Sequence, residues 1–215
     1  MTTQQQAIEL YYDSTPNGRK ITIMLEELGV PYKLNWVRIG RGDQFSPNFL
    51  AISPNNKIPA IVDPEGPGGQ PISIFESGAI MKYLGLKFGR LYPNDPRAQV
   101  MVDEWLFWQV GGFGPMLGQA HHFLRDAPER IAYPSERYQN EAQRLYSVLD
   151  TRLEGRQFVA GDYSIADIAI FAWAHRHPRH RIDLVDYPKV QRWYGAIEAR
   201  PAVATALAIR DPDAR

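Results

Sequence analysis

The sequence predicts two domains of different class: an α+β domain with a mixed four-stranded sheet and helices, then an all-α helical bundle. Short β-rich segments alternate with helical patterns early in the chain, and strand signals disappear after about residue 90. A proline-rich stretch at 91–96 separates the two parts. Sheet layers and helical bundles bury their apolar faces in different ways. We therefore predict domains at 1–89 and 98–215, joined by a linker at 90–97.

The first half begins with a strand, a helix and a second strand. Residues 7–12 alternate and are rich in β-formers, which predicts a strand, and the turn-rich segment 13–18 follows it. Ile21, Met24, Leu25 and Leu28 have helical spacing before Gly29, which predicts an amphipathic helix ending there. The remaining pattern predicts strands at 32–37, 60–63 and 72–75, a helical turn at 47–52 and a helix at 76–88.

The second half shows only helical periodicity. It covers 97–108, is interrupted by the glycine-rich segment 111–115, and resumes with Tyr138, Ala142, Leu145 and Leu149. Ser164 and Asp167 have the spacing of a capping box, which predicts another helix start. The last helices are predicted at 188–199 and 201–209, and residues 210–215 are expected to fray.

Composition restricts the possible functions. Twenty-four basic and 24 acidic residues balance, which leaves no net charge to attract nucleic acid or a membrane surface. No apolar run has the length of a membrane span and residues 1–7 are polar, so we expect a cytoplasmic protein. Cysteine is absent, which excludes disulfides, cysteine-ligated zinc and a protein thiol nucleophile. Any thiol chemistry must therefore use the sulfur of a ligand.

Two short segments form the candidate site. Ile58-Pro59 opens a predicted strand, and a cis bond there would leave the preceding backbone available to a ligand. Glu76-Ser77 follows the next strand and opens a helix, where unpaired N–H groups favour an anion. The two segments offer a peptide-like backbone partner, an anion site and a carboxylate for an ammonium. Glutathione carries all three matching groups.

The element order of the first half resembles a thioredoxin-like domain, and the whole chain resembles a cytosolic-type glutathione transferase. The segments 53–60 and 76–80 carry the resemblance to the superfamily. Three further stretches, 15–18, 106–119 and 163–168, resemble the bacterial nu class. Members of that class are known for disulfide-bond reductase activity, and the class is related to a nitrogen regulator of fungi. The resemblance also implies a homodimer.

The resemblance implies a role for each site residue. The Thr15 hydroxyl and the Asn17 amide would stabilise the glutathione thiolate, although both are also ordinary turn residues. Ser77 would hold the γ-glutamyl carboxylate and Glu76 the ammonium, while Ile58, next to Pro59, would pair with the cysteinyl backbone. Gln44 and Lys57 are implied nearer the glycyl end, and Arg137 is implied to reach the ligand from the second domain, in its own subunit or across the dimer. Tyr11 is a competing candidate for thiol activation, since several transferase classes use a tyrosine at the end of the first strand.

The predicted function is glutathione-dependent reduction of a disulfide, with one or two glutathione molecules, or glutathione disulfide, in the site. One alternative keeps the thiolate but directs it at an electrophilic carbon, a thioether or a hydroperoxide. The other alternative is a non-catalytic glutathione-binding module. The related fungal regulator carries a long Asn/Gln-rich extension, whereas here only Gln4-Gln5-Gln6 precedes the first predicted strand.

Several other side chains favour structural roles. Three histidines lie around Pro178 without interleaved carboxylates: His175, His177 and His180. We therefore expect a solvated helix end here and no metal site. One basic patch in a chain of zero net charge does not predict nucleic-acid binding. His121 and His122 are interpreted as structural or pocket-lining. We interpret three aromatic residues as core: Trp105, Trp108 and Phe113. The segment 111–114 beside them is rich in glycine, which would let a ligand approach the helix backbone closely.

Overall fold

The computed structural model describes residues 6–213, which form two compact units. One unit contains the described residues up to Phe88 together with those from Pro201 onward, and the other is Gly89–Arg200. The first unit holds all four strands and the second is helical, which confirms the predicted fold class. The polar start predicted for residues 1–7 falls mostly outside the described residues. None of the helices within 6–213 has the length and apolarity needed to cross a membrane.

The sheet of the first unit has the strand order β2-β1-β3-β4. β1 pairs in parallel with β2, whereas β1 with β3 and β3 with β4 are antiparallel. Ile8, Leu10 and Tyr12 are buried on one face of β1, as its alternating sequence predicts. The strands are β1 Ile8–Tyr12, β2 Tyr32–Trp36, β3 Ala60–Asp63 and β4 Ile72–Phe75.

Helix α1 (Pro16–Leu28) begins earlier than the turn prediction for residues 13–18 indicated. Thr15 is its N-cap and Pro16 its first residue, because proline lacks the N–H that the first turn would leave unpaired. The turn itself is therefore confined to the residues before Thr15. At the other end Gly29 has φ 68°, the left-handed conformation that ends helices and favours glycine, as predicted.

Three further helices belong to the first unit. They are α2 (Pro47–Leu50), α3 (Ser77–Phe88) and, at the end of the chain, α9 (Pro201–Ala208). The sequence prediction placed 201–209 in the helical domain, but α9 packs against α1 and buries Val203 and Ala206. Helical periodicity identifies an apolar face and does not say which helix covers it, so this part of the domain prediction was wrong.

The predicted fraying of the last residues is also corrected for the part of the tail that the structure describes. Asp211 forms a two-point ion pair with Arg38, with Nε–Oδ2 2.8 Å and Nη2–Oδ1 3.0 Å. Asp213 lies 2.6 Å from the same guanidinium. Residues 214–215 lie outside the described residues.

The second unit is a set of helices: α4 (Pro96–Trp108), α5 (Gly114–His121), α6 (Ala132–Arg152), α7 (Ile165–Ala174) and α8 (Pro188–Glu198). The glycine-rich segment 111–115 does not interrupt the helix between α4 and α5. Instead Gln109–Phe113 forms a wider π-helical turn that joins them. Gly114 permits this arrangement, since a Cβ there would lie 2.6 Å from the Gln109 amide nitrogen and 3.2 Å from the Trp173 indole nitrogen.

Helix α7 begins at the predicted capping box. Ser164 and Asp167 satisfy each other's backbone groups, and Asp167 also accepts from the backbone N–H of Val159 and the indole of Trp193. Burial raises the Asp167 pKa to about 6, although hydrogen bonds from the Val159 N–H, the Trp193 indole and both the N–H and the hydroxyl of Ser164 oppose the shift. The box thus fixes both the start of α7 and its packing against α8.

The histidines after α7 do not form the fully solvated helix end that was predicted. His180 is completely buried, stacks on Trp173 and meets the His121 ring edge-on. Pro178 bends the chain into a tight turn, and Arg181, at φ 54°, reverses it so that His180 points inward. Burial lowers the His180 pKa to about 3, so the ring is neutral.

Candidate active site

A pocket of about 140 Å³ in the first unit brings most of the predicted site residues together. Three separate parts of the chain form it: the first turn of α1, the segment before β3, and the junction between β4 and α3. Its lining residues are Asn17, Lys57, Ile58, Pro59, Phe75, Glu76 and Ser77. We call it the site pocket. Sheet pairing of β3 with both β1 and β4 places these segments side by side.

The peptide bond between Ile58 and Pro59 is cis, which confirms the sequence prediction. The turn before it is held by the Ser53 hydroxyl, which donates to the Lys57 carbonyl at 2.8 Å. Pro59 is buried, and Ile58 packs against a small core of Val37, Phe49 and Ala60. Lys57 is exposed at the edge of the pocket. This segment therefore presents backbone and a solvated cation to the site pocket.

Glu76 and Ser77 form the opposite wall. Glu76 has φ 72° and is exposed, while Ser77 is buried as the first residue of α3. The Glu76 carbonyl accepts the first helical hydrogen bond, from the Ile80 N–H at 2.9 Å. A non-glycine residue in the left-handed region costs of order 1–3 kcal/mol, and such residues cluster at functional sites. The sequence indicated the carboxylate and hydroxyl here but gave no sign of this backbone conformation.

Sequence reasoning missed Lys20, which lies directly behind this wall. Its side chain is only 1% exposed, and its Nζ donates to the Ser77 hydroxyl oxygen at 3.1 Å. Burial lowers the Lys20 pKa to about 7, although the negative charge of Glu76 opposes the shift. A signal was present in the sequence, because Lys20 stands four residues before Met24 on the apolar stripe of α1.

Asn17 and Thr15 lie at the N-terminus of α1. Asn17 lines the site pocket, in the first turn of the helix. The Thr15 hydroxyl oxygen accepts from the Gly18 N–H at 3.1 Å and so caps the helix. A hydroxyl that accepts one bond still has its own proton to donate. Thr15 is not among the residues that line the pocket, so the pocket geometry supports Asn17 more directly than Thr15.

Tyr11, the competing candidate for thiol activation, is directed elsewhere. Its hydroxyl donates to Glu9 at 3.2 Å, and its ring packs against Phe49 with centroids 6.0 Å apart. Burial raises the Tyr11 pKa, and the nearby Glu9 carboxylate raises it further. Tyr12, its neighbour, is fully buried, as expected for an alternating strand. Neither tyrosine lines the site pocket.

Two predicted binding residues lie outside this pocket. Gln44 is in the short turn Asp43–Phe45, where its buried Oε1 has no hydrogen-bond partner among the described residues. Arg137 is on α6 in the second unit, where it lines a separate pocket of about 700 Å³ with residues of that unit, including Met116, Tyr133 and Arg144. Their roles remain predictions. Within residues 6–213, no group of three or more His, Asp or Glu side chains is placed to hold a metal ion.

Known proteins resemble this chain over nearly its full length. The family model for the glutathione S-transferase N-terminal domain matches residues 15–86, and that for the C-terminal domain matches residues 116–201. The disulfide-bond oxidoreductase YfcG of Escherichia coli K12 is 54% identical over 202 residues, which cover 93% of this chain and 94% of the relative.

Two solved structures share the fold. A glutathione transferase family member from Pseudomonas fluorescens with two glutathione molecules bound has a TM-score of 0.90 at 45% identity, covering 95% of this chain and 93% of that one. A glutathione transferase from Pseudomonas putida with one glutathione disulfide bound per subunit has a TM-score of 0.91 at 45% identity, covering 95% and 92%.

Proposed function

Because this chain belongs to the glutathione S-transferase family, we propose that it is an enzyme that reduces disulfide bonds with glutathione. One observation carries the proposal. The site pocket joins an amide, an open backbone segment, a carboxylate and a helix N-terminus, in a chain that contains no cysteine. The site thus has groups to bind and activate a peptide thiol and no thiol of its own.

The pocket groups match glutathione at its γ-glutamyl and cysteinyl parts. The γ-glutamyl carboxylate binds the Ser77 hydroxyl and the N–H groups at the start of α3, and its ammonium faces Glu76. The cysteinyl backbone pairs with Ile58. A pocket of about 140 Å³ is smaller than the roughly 300 Å³ or more of a typical small-molecule site, so it suits one end of the tripeptide. Lys57 and Gln44 are assigned to the glycyl end.

Asn17 and Thr15 activate the sulfur. A thiol with a pKa near 8.5 is only a few per cent thiolate at neutral pH, and lowering that pKa by two units requires about 2.7 kcal/mol. One charge-assisted hydrogen bond contributes roughly 1.5–3 kcal/mol, and the N-terminus of α1 adds to it. An amide donor in the first turn of that helix is therefore sufficient to make the bound thiol reactive.

The reaction is two thiol–disulfide exchanges. The glutathione thiolate attacks one sulfur of the substrate disulfide, forms a mixed disulfide and releases the other substrate sulfur as a thiolate, which takes up a proton. A second glutathione thiolate attacks the glutathione sulfur of the mixed disulfide, which releases the second substrate thiol and glutathione disulfide. Every sulfur belongs to a ligand, and the protein contributes position and charge stabilisation.

The finer assignments follow from the same premise. Residues 1–89 are assigned to glutathione binding, 90–97 to a linker, and the helical domain, without α9, to the second substrate. Binding of two glutathione molecules or one glutathione disulfide in solved relatives supports a site that holds both partners of the exchange. The contact of Arg137 with the bound ligand is proposed from resemblance alone. The assignment of the chain to the nu class has the same basis. A cytoplasmic location supplies the reduced glutathione that the cycle consumes.

We further propose a homodimer. Large apolar side chains are exposed on each unit, among them Phe45 and Leu86 on the first and Phe107 on the second, at 61%, 55% and 63% exposure. Large exposed apolar side chains are a feature of surfaces at which protein subunits associate. Sedimentation velocity measures the assembly directly, and a monomer at micromolar concentration would contradict the proposal.

The first test compares two substrates. Glutathione-dependent reduction of 2-hydroxyethyl disulfide is measured beside conjugation of 1-chloro-2,4-dinitrobenzene, for the wild type and for Asn17→Ala. Strong disulfide turnover that the substitution weakens is the expected result. Dominant conjugation would favour the transferase alternative, and glutathione binding without either activity would favour the binding module.

A further inference from the structure

Lys20 is buried behind the site pocket and contacts one of its lining residues. Its ammonium donates to the Ser77 hydroxyl oxygen at 3.1 Å, and its side chain is almost completely excluded from solvent. Lysine is rarely buried unless a group with opposite charge or hydrogen-bonding capacity is near it. An apolar side chain of similar volume would fill the same space on the apolar face of α1. The presence of a charge there needs a separate reason.

The contact fixes the role of the Ser77 hydroxyl. A serine oxygen has one proton to donate and lone pairs that accept. Because the Lys20 ammonium occupies an acceptor position, the Ser77 proton remains available to a ligand in the pocket that Ser77 lines. A hydroxyl held in this way prefers a ligand carboxylate, which accepts only, over a ligand amine.

The charges around Lys20 also favour a ligand carboxylate at this wall of the site pocket. Among the elements that pack against α1, α3 brings Ser77 and the preceding Glu76 to Lys20, whereas α9 contributes backbone carbonyls to Arg19 instead. Glu76 is the charged group that acts on Lys20. A negative Glu76 and a positive Lys20 on one wall form the complement of an α-amino acid head group, whose ammonium and carboxylate share one carbon.

From this geometry we propose that Lys20 is a positioning residue that selects ligands with an α-carboxylate at the γ-glutamyl end, acting through Ser77 and through its own charge. The inference rests on the proposed glutathione site and goes beyond it by assigning a role to a residue that does not touch the ligand. It predicts that anion binding draws a proton to Lys20 near neutral pH, because a carboxylate at Ser77 stabilises the charged form of the lysine.

The affinities of two ligands for the wild type and for one variant test whether Lys20 selects ligands with an α-carboxylate. The ligands are S-methylglutathione, which has no ionisable thiol, and its γ-aminobutyryl analogue, which lacks only the α-carboxylate. Lys20→Met should weaken S-methylglutathione binding about 10- to 100-fold, and should weaken binding of the analogue less than about threefold. Lys33→Met, which removes an exposed lysine from β2, is the control for net charge. An equal loss for both ligands would reduce Lys20 to a structural role.

Calorimetry of the wild type gives a second test that does not depend on the folding of any variant. Titration of S-methylglutathione at pH 7.5 in buffers of different ionisation enthalpy should show net proton uptake, and the analogue should show much less. No uptake with S-methylglutathione would overturn the proposal. If the wild type binds neither ligand, the glutathione site itself is wrong, whereas equal tight binding to wild type and Lys20→Met contradicts only the role of Lys20.

Discussion

Arg19 binds the end of the last helix through the Leu207 carbonyl. Its Nη1 donates to that oxygen at 3.2 Å and to the Ala206 carbonyl at 3.4 Å, and its side chain is buried. The last carbonyls of a helix lack intrahelical donors, and a cation there also complements the helix dipole. Through this contact α9 supports α1, the helix that carries Asn17 and Lys20.

Arg19→Met should therefore destabilise the first unit. The substitution retains most of the apolar contact but removes the charged hydrogen bonds from Arg19 to the Ala206 and Leu207 carbonyls, and hydrogen bonds to charged groups contribute about 1.5–3 kcal/mol. Urea denaturation followed by fluorescence measures the free energy of unfolding. Arg97→Met, at an exposed position of α4, serves as the control and should change it by less than about 0.5 kcal/mol. Equal stability of Arg19→Met and the control would mean that α9 does not support α1.

Asn17→Ala should raise the pKa of the bound glutathione thiol by about one to two pH units, because one charge-assisted hydrogen bond is lost. The thiolate absorbance near 240 nm (a wavelength typical of thiolates), titrated on the protein–glutathione complex, reports this pKa directly. Disulfide reduction should fall about 10- to 100-fold in kcat/KM. Asn48→Ala, at an exposed asparagine of α2, is the matched control. An unchanged thiol pKa would remove Asn17 from the catalytic assignment.

Thr15→Ala and Thr15→Ser should separate capping from catalysis. Alanine removes the oxygen that accepts from the Gly18 N–H, which costs about 0.5–2 kcal/mol of stability, while serine keeps both the cap and a proton donor. If Thr15 also activates the sulfur, Thr15→Ala should lose activity at temperatures well below its unfolding transition. Thr15→Ser should retain activity at the same temperatures. Loss of stability with full activity would limit Thr15 to capping.

Glu76→Gly should weaken glutathione binding without weakening the fold. Glycine adopts φ 72° without the cost that glutamate incurs there, so thermal stability should stay equal or rise slightly. Glu76→Gln keeps the backbone cost and removes the charge, and should lose affinity to a similar degree. Thermal denaturation and glutathione titration of both variants provide the check. A glycine variant much less stable than the wild type would show that the Glu76 side chain supports the fold.

Lys20 should make stability depend on pH in the ligand-free protein. Its pKa is about 7 in the folded state and near 10.5 when unfolded, so between these values the unfolded chain binds more protons. The wild type should therefore gain stability relative to Lys20→Met as pH rises from 7 to 9, by up to about 1.4 kcal/mol per pH unit. Denaturation at pH 7, 8 and 9 measures the difference. A difference that stays flat, or that shrinks as pH rises, would contradict the assigned burial of this charge.

Much of the site could be predicted because its signals are local. The strand bounds at 60–63 and 72–75, the cis bond at Ile58-Pro59 and the capping box at Ser164 all depend on residues within a few positions of one another. The same is true of the absence of cysteine, which by itself determines that any sulfur chemistry uses a ligand. Steric limits and nearest-neighbour hydrogen bonds act over this range, so sequence is sufficient.

Tertiary structure alone decided the features that depend on distant contacts. It placed α9 on α1, buried Lys20 against Ser77 and His180 against Trp173, and held Glu76 at a positive φ. For Lys20 and His180, contacts with distant residues outweigh the usual preference of lysine and histidine for solvent. Glu76 adopts a φ that L-residues normally avoid. Sequence therefore determined which groups the site contains, and packing decided how charged and how constrained those groups are.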